Sequence, residues 1–360
     1  MNFEDLIAKR RWIHNIRREK LKHEWRPRKK TKQKVNFDLI HVHNEFCLYK
    51  AENADEVAHE SVEKTIGIIN DIRNSINKNI LISFIDTSRL TVAATVLLFA
   101  AIDEAVSNGC KFAIKYSHKN FKVNSLIKKA GIQRNRLQAV ISSDFTSQKP
   151  LSIIQGCGAL FREEIIDHIK SFIYEENMTA TEEHIYGDAV HETINNVLLH
   201  AYPEIQTRDD KKWWMLCDVV QKELYLAIFD QGVGIPNTVM SNNWFKPSLQ
   251  KLYPKQYKEI ETTLGLHGLS KIAHRIGFSD ISDEQLIKIS MIGDLSGTHK
   301  DKHGQGSKSI KALVEEHDNG KLWIFSNKGL YTLSGKDKME HVHSLPMSIG
   351  GTIVQWNIKL

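Results

Sequence analysis

Between residues 35 and 132 short apolar stretches alternate with longer amphipathic ones, and no other feature narrows the fold as far. VNFDLIHVH, ILISFID and KFAIKYSH have the length and β-branched content of strands, while VEKTIGIINDIRNSI, LTVAATVLLFAAIDEAVSNG and NSLIKKAGI have helical spacing. Strands separated by helices must pack those helices on a sheet, so an α/β layer is expected here. The longest apolar run, Thr91 to Ile102, stops at Asp103. It falls short of the roughly 20 residues that a bilayer-spanning helix requires, and no membrane span is expected.

A second block of different order follows FTSQKPLSIIQGCG, residues 145–158, whose turn formers mark a boundary. FREEIIDHIKSFI and TEEHIYGDAVHETINNVLLHAY come first as helices, then WWMLCDVV, LYLAIFD, KLWIFSN and GTIVQWNIKL as strands. Helices followed by strands predict an α/β sandwich. The expected division is therefore a segment 1–35, an α/β domain 36–148 and a second α/β domain 149–360.

Charge separates the first segment from the rest. The whole chain carries +6, yet residues 1–34 hold 13 Lys and Arg against 4 Asp and Glu, leaving 36 basic and 39 acidic residues beyond them. The basic excess is thus local: a helical arm over residues 5–25 and the linker RPRKKTKQK, suited to nucleic acid, an acidic protein partner or an anionic surface. The four cysteines, Cys47, Cys110, Cys157 and Cys217, form no CxxC pair, and no secretory signal precedes them. A reducing, cytoplasmic setting is expected.

The chemistry concentrates in HETINNVLLHAY, residues 191–202, where Glu192 and Asn196 stand one helical turn apart in an apolar run. Polar groups taken from water cost free energy unless they are paired, so the pair points to a ligand or a hydrogen-bonded network. Three further stretches share the second domain: FDQGVGIP at 229–236, HGQGSKSI at 303–310 and GGTIV at 350–354. In this order the four resemble the nucleotide-binding boxes of the GHKL superfamily, and ETINNVLLHAY is similar to the form found in anti-sigma serine kinases.

The resemblance covers about 200 residues and implies ATP and Mg²⁺ as cofactors. It makes Asn196 the ligand of Mg²⁺ and Glu192 the catalytic general base. Asp230 accepts from the adenine amino group, Gly232 and Gly234 let the chain approach the base, and Ile235 packs on the ring. Gly304, Gly306 and Ser307 offer free N–H groups to the phosphates, and Thr352 reaches adenine. The family's ATP lid corresponds to the long interval from Pro236 to Lys302. A competing glycine box, GLHGL at 265–269, is followed by core-like spacing, which favours HGQGSKSI.

The first domain resembles a STAS-type domain, through ISFIDTSRL, where an Asp-Thr-Ser step follows a strand before a long helix. That likeness makes Thr87 and Ser88 phosphoacceptors; the reading from residues alone makes them helix caps. Arg89 stands where the family has glycine. Together the two resemblances imply an ATP-hydrolysing regulatory switch. The alternatives are a serine/threonine kinase acting on a STAS-like substrate, and a non-hydrolysing ATP-bound module that binds nucleic acid or a partner. A protein partner is expected in each case, and a homodimer is open.

Overall fold

A computed structural model describes residues 36–50, 57, 59–129, 154–220, 222–240, 242, 244–258, 281–292 and 306–360. The basic arm and its linker, residues 130–153, the GLHGL stretch and Gly304 lie outside the described residues. Residues Asp38 to Leu360 form one compact unit. No helix among the described residues is long and apolar enough to cross a membrane.

The class is mixed α/β. Strands β1 (Asp38–His41), β3 (Asn79–Ser83) and β5 (Lys111–Lys115) form a parallel sheet in the order β1-β3-β5. Helices α1 (His59–Arg73), α2 (Val92–Ser107) and α3 (Phe121–Lys129) connect and follow them. These are the elements the alternation predicts, displaced by a few residues. A short parallel pair, β2 (Glu45–Phe46) with β4 (Arg89–Leu90), has no counterpart in the sequence pattern.

That extra pair corrects the reading of the Asp-Thr-Ser step. The chain enters β4 after Ser88, and α2 begins only at Val92, where Thr91 is the N-cap and its side chain accepts from Ala94 N–H at 3.4 Å. Thr87 caps nothing. It is fully buried, and its hydroxyl donates to the carbonyls of His43 (3.0 Å) and Val42 (3.3 Å), leaving no room for a phosphate in this conformation. Ser88 is half-buried and donates to the Asn44 carbonyl. Arg89 clamps the same corner, donating to the Tyr49 carbonyl at 2.7 Å. Thr87→Val keeps the shape and removes the hydroxyl, so it should cost about 1–3 kcal/mol. Urea unfolding with an unchanged slope checks this.

Seven antiparallel strands build the second sheet in the order β11-β10-β9-β12-β8-β7-β6. They are β6 (Ile154–Cys157), β7 (Lys212–Val220), β8 (Glu223–Asp230), β9 (Lys321–Ser326), β10 (Gly329–Ser334), β11 (Glu340–Ser344) and β12 (Thr352–Lys359). One face carries Trp213, Met215, Leu226, Ile228, Ile324 and Trp356 against α5 (Ala180–Asn196) and α9 (Gly306–Glu315). The other carries Trp214, Leu216, Phe229, Trp323, Phe325 and Ile353 into one core with α1 and α2.

Burial on both faces explains why WWMLC, LYLAIF and LWIF are continuous apolar runs rather than alternating ones. It also explains α2, whose residues Val92–Ile102 are all buried. A helix apolar on every side has no solvent face to present, and here it lies in the core shared by the two sheets. Tyr49 helps join the layers by stacking on Trp323, with ring centroids 5.2 Å apart.

Within the 236–302 interval, α6 (Ile235–Val239), α7 (Phe245–Leu252) and α8 (Asp283–Ile292) gather a small core of Val239, Phe245, Leu249, Ile281, Leu286 and Ile289. α4 (Arg162–His168) precedes α5.

Candidate functional site

Helix α5 presents the polar pair. It is started firmly: Thr179 accepts from Glu182 N–H at 3.2 Å, and Glu182 returns the favour to Thr179 N–H at 2.8 Å, a reciprocal capping box. Tyr186, Ala189, Val190, Thr193 and Ile194 bury one stripe against the sheet. Glu192 and Asn196 stay half-buried beside that stripe, one helical turn apart. Directly after Asn196 the helix widens into a π-turn, Val197–Ala201. Such a turn is rare and concentrates at functional sites.

Burial is the largest influence on Glu192 and pushes its carboxyl above the usual carboxylate range, while the Asn196 side chain pulls it down and Asp188 pushes it up. Gly306, the first residue of α9, sits against this carboxylate so closely that a β-carbon there would collide with Glu192 Oε1. Ser307 follows, half-buried. Two sequence boxes more than 100 residues apart thus meet at one carboxylate.

Gly306→Ala tests that meeting. Alanine suits a helix better than glycine, so fold stability should hold or rise slightly. The Glu192 side chain must swing aside, and any reaction it serves should slow by about 10- to 100-fold, because misplacement on the order of 1 Å costs that much. Thermal unfolding and turnover, measured side by side, separate the two effects.

The second cluster lies where β8 and β12 end side by side, with Asp230 opposite Thr352 in the ladder. Asp230 is buried, and Gly232 N–H donates to its Oδ1 at 2.9 Å. Burial outweighs that bond and raises its carboxyl to about 7. Thr352 Oγ1 lies 2.9 Å from Ser326 Oγ, which accepts from Ile235 N–H at 2.9 Å. Gly234 adopts φ 83°, a backbone conformation costly for other residues, and lies against the Asn327 side chain. Ile235 is half-buried between the main core and that of the insert.

The two clusters are physically joined. Val233 N–H donates to the Ala201 carbonyl at 2.8 Å, and a β-carbon on Gly232 would strike that same carbonyl. The glycine turn after β8 therefore docks on the π-turn that follows Asn196. Tyr202 closes the junction, donating to the Lys212 carbonyl at 2.8 Å and accepting from Gln231 N–H at 2.9 Å.

Glu192, Asn196, Gly306 and Ser307 thus share one end of the site; Asp230, Gly232, Gly234, Ile235 and Thr352 share the other. Thr87 and Ser88 belong to neither group, being hydrogen-bonded at the end of β1. Sequence reasoning missed Ser326, Asn327 and Tyr202. Asn327 donates to the Val233 carbonyl at 3.0 Å and holds the turn from outside. The serine that ends the apolar run LWIFS was the available signal, since a buried hydroxyl needs a partner to satisfy it.

Comparison with known proteins found no family model that matches the chain and no curated protein that matches it.

Proposed function

We propose that residues 149–360 form a GHKL-type site that binds Mg-ATP and hydrolyses it, making the protein an ATP-driven regulatory switch. One observation carries the reading: a carboxylate–carboxamide pair, a glycine at a helix start and a buried acceptor beside a glycine turn, drawn from three separate stretches, are linked by contact, Gly306 lying against Glu192 and the glycine turn docking on the π-turn after Asn196.

Each residue has a task in this reading. Asp230 accepts from the adenine amino group with Thr352 beside it, and Gly232 and Gly234 leave room for the base. The N–H groups at the start of α9 face the phosphates, which the helix dipole favours. Asn196 offers a carboxamide oxygen to Mg²⁺, an ion that prefers oxygen ligands and takes few from protein. Bound there, Mg²⁺ would offset phosphate charge. Glu192 removes a proton from water as its oxygen forms the new bond to the γ-phosphorus, and the bridging oxygen leaves with ADP. Its raised ionisation range suits a base that must hold a proton briefly near neutral pH.

The kinase alternative loses support from the burial of Thr87, and Ser88 remains its acceptor. In the same reading residues 36–148 are the STAS-like module. Incubation of the full chain with γ-labelled ATP and Mg²⁺ tests the choice. Free labelled phosphate, absent from Glu192→Ala, is the expected result. Label retained on the protein would replace hydrolysis by phosphotransfer, and no nucleotide binding would remove the site.

A further inference from the structure

Strand alternation sends successive residues of β8 to opposite faces. Phe229 enters the core shared with α2, and Asp230 lies opposite Thr352 at the candidate site. Gln231, the next residue, returns toward α2, where its Nε2 donates to Glu104 Oε2 at 2.8 Å. This one residue therefore has its backbone in the glycine turn and its side chain in the grip of the N-terminal layer.

Glu104 is itself held. Arg73 Nε, at the end of α1, stands 3.4 Å from the same carboxylate oxygen, and the Arg73 side chain is only 15% exposed. Its Nε and Nη2 are buried without a hydrogen-bond partner, so this guanidinium has been taken from water at a cost that Glu104 only partly repays. Arg73 reaches the other arm of the site as well. A β-carbon on Gly350 would stand 2.9 Å from Nη1, and Gly350 has φ 69°. Gly351 follows, packed on the Asp230 carbonyl, and then Thr352.

We propose that Arg73, Glu104 and Gln231 form a positioning relay through which the N-terminal layer sets the nucleotide affinity of the second sheet. The relay rests on the nucleotide reading above. Its route is short. Moving the Gln231 side chain shifts the following peptide, whose Gly232 N–H aims the Asp230 carboxylate. Moving Arg73 relaxes the two glycines that set Thr352. Both arms end on the pair assigned to adenine, and the turn meets the helix of Asn196 only beyond that residue, through backbone N–H bonds to Ala201 and Tyr202. Coupling of this kind is reciprocal, so nucleotide binding must also tighten the hold of Glu104 on Gln231.

The opposite location of the two ends supplies the test. Binding of ATP and of tripolyphosphate, each with Mg²⁺, is measured by calorimetry on the full chain. The variants are Glu104→Ala, Gln231→Ala, their combination and Glu104→Gln. Each alanine variant should weaken ATP by about 3- to 30-fold, within the range of coupling between contacting sites, and leave tripolyphosphate unchanged. The combination should be no worse than Glu104→Ala alone, because that variant already removes the bond that Gln231→Ala breaks. Glu104→Gln keeps an acceptor oxygen for Gln231 and should recover most of the affinity.

Variants that bind ATP like the parent overturn the relay and leave the nucleotide site standing. Equal losses for ATP and tripolyphosphate, or losses that multiply in the combination, also overturn it, since they report general damage. A parent chain that binds neither compound overturns the nucleotide reading and the relay with it. Amide exchange of Gly232 and Val233 without nucleotide is a separate readout. Glu104→Ala should speed it, and an unchanged rate counts against the relay whatever ATP does.

Discussion

Asn196→Ala is expected to weaken Mg-ATP binding by about 100-fold, the scale on which loss of metal-site groups acts, while binding of adenosine alone survives. Glu192→Ala is expected to do the reverse: ATP still binds, and phosphate release falls by about 100- to 10,000-fold, the contribution of a positioned general base. The two residues are neighbours on one helix face and Asn196 lowers the ionisation range of Glu192, so their effects should not be independent. Without Asn196 the carboxylate of Glu192 loses that influence, and any residual activity should need a higher pH. Calorimetry with and without Mg²⁺, beside a phosphate-release assay, reads all of this. If Asn196→Ala binds Mg-ATP as tightly as the parent, Asn196 does not hold the metal and the phosphate end lies elsewhere.

The two blocks differ in how far sequence could reach them. Spacing reveals α1, α2, β3 and β5 because each is long enough to complete its own period. It does not reveal β4, two residues whose pairing with β2 depends on chain 44 positions away. The Asp-Thr-Ser step offers Thr87 and Ser88 as caps, and local chemistry does not show that the cap is Thr91. The tertiary pairing of Leu90 with Phe46 delays the helix until Thr91 and turns Thr87 inward. The core of the second sheet is legible in its apolar runs. WWMLC cannot alternate, and its two faces required two covers, which forecasts the packing of α2 on the far side.

At the site, the polar pair and the acceptor after LYLAIFD could be found because each breaks an apolar pattern. The π-turn could not, since LLHAY continues helical spacing without a glycine or proline. Nor could the contact between Glu104 and Gln231, where both residues are ordinary surface types by composition and only the fold brings them together across 127 positions.

Asp230→Asn should separate stability from binding, in opposite directions. The buried carboxyl ionises near 3.8 in an unfolded chain and at about 7 in the fold. Between those values the folded chain keeps a proton that the unfolded chain has lost. The native state is therefore relatively favoured at acid pH, and that advantage fades as pH rises through about 7, a change of about 4 kcal/mol in all. Asparagine carries no charge to bury and still offers an oxygen to Gly232 N–H. The variant should therefore unfold at higher temperature than the parent at pH 8, with the difference shrinking toward pH 5.

Binding runs the other way. The adenine amino group donates best to an ionised acceptor, so affinity for adenosine, which has no titratable phosphate, should rise with pH up to about 7 and then level off. Below that point binding should release a proton, measurable as a dependence of the calorimetric heat on buffer. Asp230→Asn should lose about 10- to 100-fold in affinity and the pH dependence with it, a loss matching a hydrogen bond to a charged group. An Asp230→Asn chain that binds adenosine normally would leave the carboxylate a buried charge without a ligand to justify it. A chain less stable than the parent at pH 8 would mean that Asp230 is held ionised by a partner and that its burial costs little.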